Sequence, residues 1–327
     1  MKTNTTNLFH KQLILGAILI LLVLLFLLPV VGVQITWLQK LFTFFVFLSL
    51  AQIWNLLAGF GGMVSLAQPA FLGFAAYTMA ICLWLRLPIP APGLVILGGV
   101  LAALLAVLVS VPVFRFGGGL YFAIGTLLLP TILSNWFNSW TPDPTGRVGA
   151  GAGFSIRIPI TIQAFYWIGL IVAIMITASV FILMHSKYGL GIRAIRDDSG
   201  AALSSGVGVF RVKFYLFVFG AFLTGLVGVI YYMYIGYIEP QSSFNMNWTV
   251  NQIVPVVLGV IGTLAGPFLG TIVFIVLYYA LSGNPSIDLF IWGGIVVIML
   301  LIDPEGIMGL VRKFSGKLSA KRLATKE

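Results

Sequence analysis

Among 327 residues, the side chains able to do chemistry fall into one polar cluster and a few scattered amides. The cluster is Ser186–Lys213, SKYGLGIRAIRDDSGAALSSGVGVFRVK. It sets Arg193 and Arg196 three residues apart and follows them with Asp197 and Asp198. That spacing suits charged contacts with a partner or the capping of a short helix, because either Asp can accept the orphan N–H groups of a helix over Ala201–Ser205. Gly189 and Gly191 are expected to flank a sharp turn, and Gly206 to end the short helix, leaving Ala201, Ala202 and their small neighbours exposed as a knob. The plain alternative is a basic loop whose charges only set topology. Elsewhere Gln52, Asn55, Ser65, Gln68 and Asn135 are the larger polar side chains in or beside apolar stretches. Such groups either bond a neighbouring helix or line a path for a polar solute.

Catalytic constellations are missing. No P-loop, H-E-x-x-H, C-x-x-C or G-x-S-x-G occurs, so neither nucleotide chemistry through that loop nor a metal or serine hydrolase site is expected. The lone cysteine, Cys82, makes no internal disulfide possible and reads as a small apolar residue. The expectation is a chain that is not an enzyme, with no catalytic residue, metal site or cofactor of its own.

The elements that must carry these residues follow from composition. Sixty per cent of the chain is hydrophobic and 8% is charged, with a formal net charge of +10. Soluble domains carry about 25% charged residues, so this chain cannot cover itself against water. It has enough apolar residues for up to about ten spans of about 20 residues each. Apolar stretches lie near 13–33, 41–59, 63–85, 93–114, 118–136, 163–184, 213–235, 252–264, 266–282 and 286–302. The expected fold is all-α: one polytopic transmembrane bundle over 1–327, of about 8–10 spans with short or broken helices. Stretch 252–264 is too short to cross upright and contains Pro255, so a half-helix or re-entrant segment is expected there. Pro69 and Pro130 are expected to kink spans. The glycines at 59, 61 and 62 read as a tight turn, a packing site or an unwound segment.

Most of the 18 basic residues lie at the N-terminus, in 186–213 and in a tail over 303–327. The positive-inside rule places all three in the cytoplasm of a multi-pass membrane protein, and makes nucleic acid an unneeded partner. The span interiors hold almost nothing ionisable. A proton-coupled carrier is therefore disfavoured, whereas a sodium-coupled carrier stays open because unwound carbonyls can hold the ion.

The block G-x-G-x-x-A-I-R-D-D followed by A-A, at 189–202, resembles the cytoplasmic coupling loop of ABC importer permeases for branched-chain amino acids, closest to the M-type (LivM-like) subunit. Further blocks agree. Asn55-Leu56-Leu57-Ala58-Gly59 with Ser65-Leu66-Ala67-Gln68, Arg115 with Gly119-Leu120-Tyr121-Phe122-Ala123-Ile124, and Thr145-Gly146 are similar to family segments. So are Gly262-Thr263-Leu264 with Gly266-Pro267, and Asp303-Pro304-Glu305-Gly306. Gln68 stands where the family commonly has His, and Ser199 where it commonly has Glu. The resemblance implies a permease fold of the branched-chain amino acid/ribose type. It implies import of branched-chain amino acids or a similar small polar solute delivered by an external binding protein. The pore would be shared with a homologous second permease. ATP would be used by two separate ATP-binding subunits docked on Gly189, Gly191, Arg193, Ala194, Arg196, Asp197, Asp198, Ala201, Ala202 and Gly206. It implies a bacterial-type cell (inner) membrane. An ATPase-independent carrier or channel for a small neutral or zwitterionic solute is the alternative.

Overall fold

The computed structural model describes residues 22–115, 119–140 and 153–281, with the isolated positions 16, 20, 151 and 294. The stretch 286–302 apart from Gly294, the tail 303–327 and the glycine-rich segment around Thr145 and Arg147 lie outside the described residues.

Long apolar runs become helices because a helix satisfies its own backbone groups where no water can. α1 spans Ile35–Trp54 and continues as a wider π-type turn over Asn55–Phe60. After it come α2 (Gln68–Trp84), α3 (Ala91–Arg115), α4 (Leu120–Ser139) and α5 (Ile162–His185). Two helices of the polar cluster follow, α6 (Lys187–Asp197) and α7 (Ser199–Ser204). α8 (Val209–Ile235), a short α9 (Pro240–Ser243), α10 (Asn247–Gly259) and α11 (Gly266–Leu281) close the described chain. Among the described residues, α1 with its π turn, α3, α4, α5 and α8 are each long and apolar enough to cross a bilayer. The expected all-α bundle with broken helices stands, relieved among the described residues only by a ribbon of β1 (Phe154–Ser155) antiparallel to β2 (Tyr237–Ile238).

The ribbon joins the segment before α5 to the segment after α8. α5 then runs 24 residues, about 36 Å at 1.5 Å per residue, so α6 and α7 lie at the opposite end of the bundle from the ribbon. α3 and α8 pack through small residues: a Cβ on Gly225 would lie 2.7 Å from that of Ala102 and 3.0 Å from the Gly99 Cα. Lipid tails are as apolar as leucine, so such close packing, not water exclusion, holds helices together in a membrane. An aromatic group fills the centre, with Phe217 5.4 Å from Phe71 and 5.7 Å from Phe122 between ring centroids. On α3 the residues Ile96, Val100, Leu104, Leu108 and Val111 form an exposed apolar stripe at helical spacing, a face suited to lipid or to another subunit.

Several sequence expectations need correction. Pro69 occupies the first turn of α2, where its missing N–H costs no helical bond, so it kinks nothing. The expected span 63–85 begins with the non-helical residues 63–67. The break after α5 falls at Ser186, and Gly189 and Gly191 lie within α6, Gly189 packed on the Met184 carbonyl. The short helix begins two residues earlier than Ala201, and Asp198 rather than Asp197 caps it: its carboxylate accepts from Gly200 N at 2.7 Å and Ala201 N at 3.1 Å. Ala202 is buried, so the exposed knob is made by Ala201 and Leu203. Lys40, left just outside a span by the apolar run 41–59, lies within α1, its ammonium 5.0 Å from the Trp37 ring centroid.

Candidate functional site: two interrupted helices and the hairpin beneath them

α10 is 13 residues long, about 20 Å at 1.5 Å per residue, too short to cross the roughly 30 Å hydrocarbon core upright. It stops at Gly259 and the chain restarts as α11 at Gly266. Between them Gly262 takes φ +77, a left-handed conformation that favours glycine. Thr263 organises the restart, its Oγ1 donating to Val260 O at 3.1 Å and accepting from Gly266 N at 3.0 Å. α10 and α11 press together where Gly270 lies against the Pro255 carbonyl. The half-helix expected from Pro255 and the short apolar run is therefore present.

α1 supplies what the break lacks. Asn55 Oδ1 accepts from Gly262 N at 2.8 Å, and its Nδ2 donates to Thr263 O at 2.8 Å. One turn earlier Gln52 Nε2 donates to Leu264 O at 2.9 Å. An i, i+3 pair on one helix face thus meets three polar groups of an unwound segment more than 200 residues away. The π turn that starts at Asn55 is itself an interruption, and residues 62–67 run on without helix. That second unwound segment is pinned by Trp54 Nε1 donating to Ser65 O at 3.2 Å and by Leu66 N donating to Thr126 Oγ1 at 3.1 Å. Two interrupted apolar segments meeting inside one bundle is the arrangement from which membrane carriers build solute sites.

Above this junction lies a seam of buried amides. Gln68 is 1% exposed and Gln252 is fully buried, and in both the amide N and O lack a hydrogen-bond partner. Two contacts lie on the elements that carry them. On one side the Phe244 ring packs on Gly73; on the other Trp54 bonds the Ser65 carbonyl and packs beside Val256. Thr249, one turn before Gln252, has an unpartnered hydroxyl as well. An unpaired buried polar group costs about 1–3 kcal/mol. Gln252→Leu, of similar volume, is accordingly expected to raise the stability of the chain by about 1–3 kcal/mol, read as a higher unfolding midpoint in detergent. A lower midpoint would mean that the amide is satisfied.

Of the residues singled out from sequence, Gln52, Asn55, Ser65 and Gln68 are brought together around α1, α2 and the α10–α11 break. Asn135 is not: it is exposed on α4. Gln252, Thr249 and the break residue Gly262 were not singled out as site residues, although the short, proline-bearing run beginning at 252 was the available signal.

Beneath the junction, α6 buries Gly189, Ile192 and Ile195 and exposes Arg193, Ala194, Arg196 and Asp197. Arg193 Nη2 donates to Met184 O at 3.0 Å, supplying a cation to the C-terminal end of α5. Arg196 Nη1 donates to Gly59 O at 3.0 Å, and its Nε lies 3.2 Å from Asp197 Oδ1. Gly206, φ +84, follows the C-terminal end of α7, with Val207 N donating to Ala202 O at 3.0 Å. A cavity of about 610 Å³ opens between Leu203 and Lys213 on this hairpin side and Met63, Val64, Phe114 and Leu120.

A family model described as "Branched-chain amino acid transport system / permease component" matches residues 36–302. The high-affinity branched-chain amino acid transport system permease protein LivM of Escherichia coli (strain K12) is 23% identical, over 79% of this chain and 66% of its own length. LivM of Salmonella typhimurium is 22% identical with the same coverage. The permease protein LivH of Salmonella typhimurium is 30% identical over 50% of this chain and 52% of its own length. The chain thus spans slightly under two thirds of the LivM relatives. No solved structure matches.

Proposed function

The chain belongs to the branched-chain amino acid transport system permease family, and from that premise we propose that it is the membrane-spanning permease subunit of an ATP-driven importer. Its solute is a branched-chain amino acid or a similar small polar molecule, handed over by an external binding protein at the ribbon end. A homologous permease completes the pore, as the existence of both LivM and LivH relatives suggests. ATP is bound and hydrolysed in two separate subunits, not in this chain. The N-terminus, the α6–α7 hairpin and the tail 303–327 face the cytoplasm, in keeping with the basic residues they carry. The membrane is that of a bacterial-type cell.

The observation that carries this reading is the hairpin. A capped helix of six residues, with Ala201 and Leu203 exposed at the end opposite the ribbon, has little to do in a bundle that could transport alone. It is the right size to seat in a groove of an ATPase. Gly189, Gly191, Ala194 and Gly206 set its backbone path, Asp198 caps it, and Arg193, Arg196 and Asp197 lie on its exposed side. The solute path follows Gln52, Asn55, Ser65, Gln68 and Gln252, where polar groups are held ready inside an apolar bundle.

The test is reconstitution. Purified from its native membrane under mild detergent, the full chain is expected to bring ATP-binding subunits with it. In liposomes, uptake is expected to require both ATP and the binding protein. Solute uptake by the chain alone, with no nucleotide, would overturn the proposal in favour of a self-sufficient carrier.

A further inference from the structure

We propose that Arg196 is the positioning residue through which the α6–α7 hairpin controls the α10–α11 break. The bond from its Nη1 to Gly59 O links segments 137 residues apart. The Gly59 carbonyl stands at the C-terminal end of the π turn, where the next backbone donors, Gly61 N, Gly62 N and Met63 N, go to Leu56 O, Ala58 O and Leu57 O instead. Arg196 provides its donor. A Cβ on Gly262 would lie 2.9 Å from Nη1 and 3.0 Å from Gly59 O, while one on Gly62 would lie 3.1 Å from the arginine Cγ. The arginine side chain therefore lies in a slot between both unwound segments, its stem against Gly62 and its guanidinium against Gly262, both glycines with positive φ.

Charge chemistry favours the same place. The C-terminal ends of α1 with its π turn and of α10 converge here, each carrying the partial negative charge of a helix C-terminus, and a cation is stabilised beside them. The Asp197 contact is not what holds Arg196, because both side chains are exposed, at 42% and 69%, and surface pairs contribute little. From Gly59 the linkage continues within one turn to Asn55, and so to Gly262 and Thr263. A displacement of α6 by one or two ångströms cannot leave the break unmoved while these bonds persist. The coupling role rests on the reading that α6–α7 receives the ATPase; the mechanical linkage does not.

Two measurements on the full chain separate the two. The first is hydrogen exchange of the purified chain in nanodiscs, with no ATPase present. In Arg196→Ala the amides over 260–265 are expected to exchange about tenfold faster, the loss of about one hydrogen bond's worth of local stability. Those of α3 stay unchanged, and Arg196→Lys, which keeps a donor, restores most of the protection. The second is the assembled transporter, where Arg196→Ala is expected to lower the solute moved per ATP hydrolysed about tenfold. Unchanged exchange over 260–265 overturns the linkage, and so does a parallel loosening of α3 that lysine does not rescue, which would mark a merely structural role. Unchanged transport per ATP overturns the coupling. Should no ATPase associate with the wild-type chain, the importer reading falls while the exchange result still decides the linkage.

Discussion

Asn55→Leu is expected to lower the stability of the chain by about 2–4 kcal/mol, because it leaves the Gly262 N–H and the Thr263 C=O without their partner at once. The side chain it replaces is fully buried, so the leucine adds no new solvent contact, and its apolar volume offsets only part of the loss. Intramembrane hydrogen bonds average only about 0.6 kcal/mol in double-mutant cycles, since an unfolded segment in lipid finds other partners. The larger figure applies here because the break cannot re-form a helix to satisfy itself: Gly262 is left-handed and Pro267 has no N–H. Thermal unfolding in detergent reads the stability, and uptake by the reconstituted transporter is expected to fall about tenfold or more with it. A variant as stable and as active as the wild type would show that the break keeps its shape without α1. Comparison with Gln252→Leu is informative. That change is expected to stabilise the chain yet slow uptake, whereas Asn55→Leu is expected to lower both, which separates a path residue whose amide is unpaired from one that also holds the break together.

Ala201→Glu is expected to abolish coupled transport, a fall of about a hundredfold, with little effect on folding. Ala201 is exposed on α7, so the carboxylate stays in water in the isolated chain. In a docked complex the same charge would be buried against the partner without a counter-ion, and such burial is costly. Leu203→Glu, 64% exposed in the structure, should act in the same direction. Ala202 is the wrong position for this test. It is 4% exposed, and a charge there would damage the hairpin itself. The readouts are co-purification of the ATP-binding subunits and uptake in liposomes, with the unfolding midpoint as control. Normal co-purification and uptake in both variants would remove α7 from the docking surface.

Much of the scaffold is legible in residue order. Runs such as 93–114 and 163–184 lie inside helices a few residues longer, because in lipid the length of an apolar run and the length of a helix answer to the same requirement. The interruption after α10 was legible from Pro255 and a run too short to cross, and the cap on α7 from two adjacent carboxylates. Local geometry was harder. Gly189 and Gly191 looked like a turn, yet α6 continues through both, its apolar face of Ile192 and Ile195 packed on the bundle; packing outweighed the roughly 1 kcal/mol that each glycine costs a helix. Pro69 looked like a kink and is a helix start, a difference of position relative to the chain break at 61–67 that composition does not carry.

What the sequence by itself determined is the class: too few charges to meet water, apolar runs matched to a bilayer, and motif blocks sufficient to suggest a family. What only the tertiary structure decided is which polar group answers which. Gln52 and Asn55 were amides of undetermined use until packing set them beside residues 262–264, and Arg196 was one basic residue among several until α6 brought it to Gly59. The physical reason is that hydrophobic patterning acts locally along the chain, whereas a hydrogen bond is specified to tenths of an ångström between segments separated by 137 to 212 residues, and that register exists only once the helices have packed.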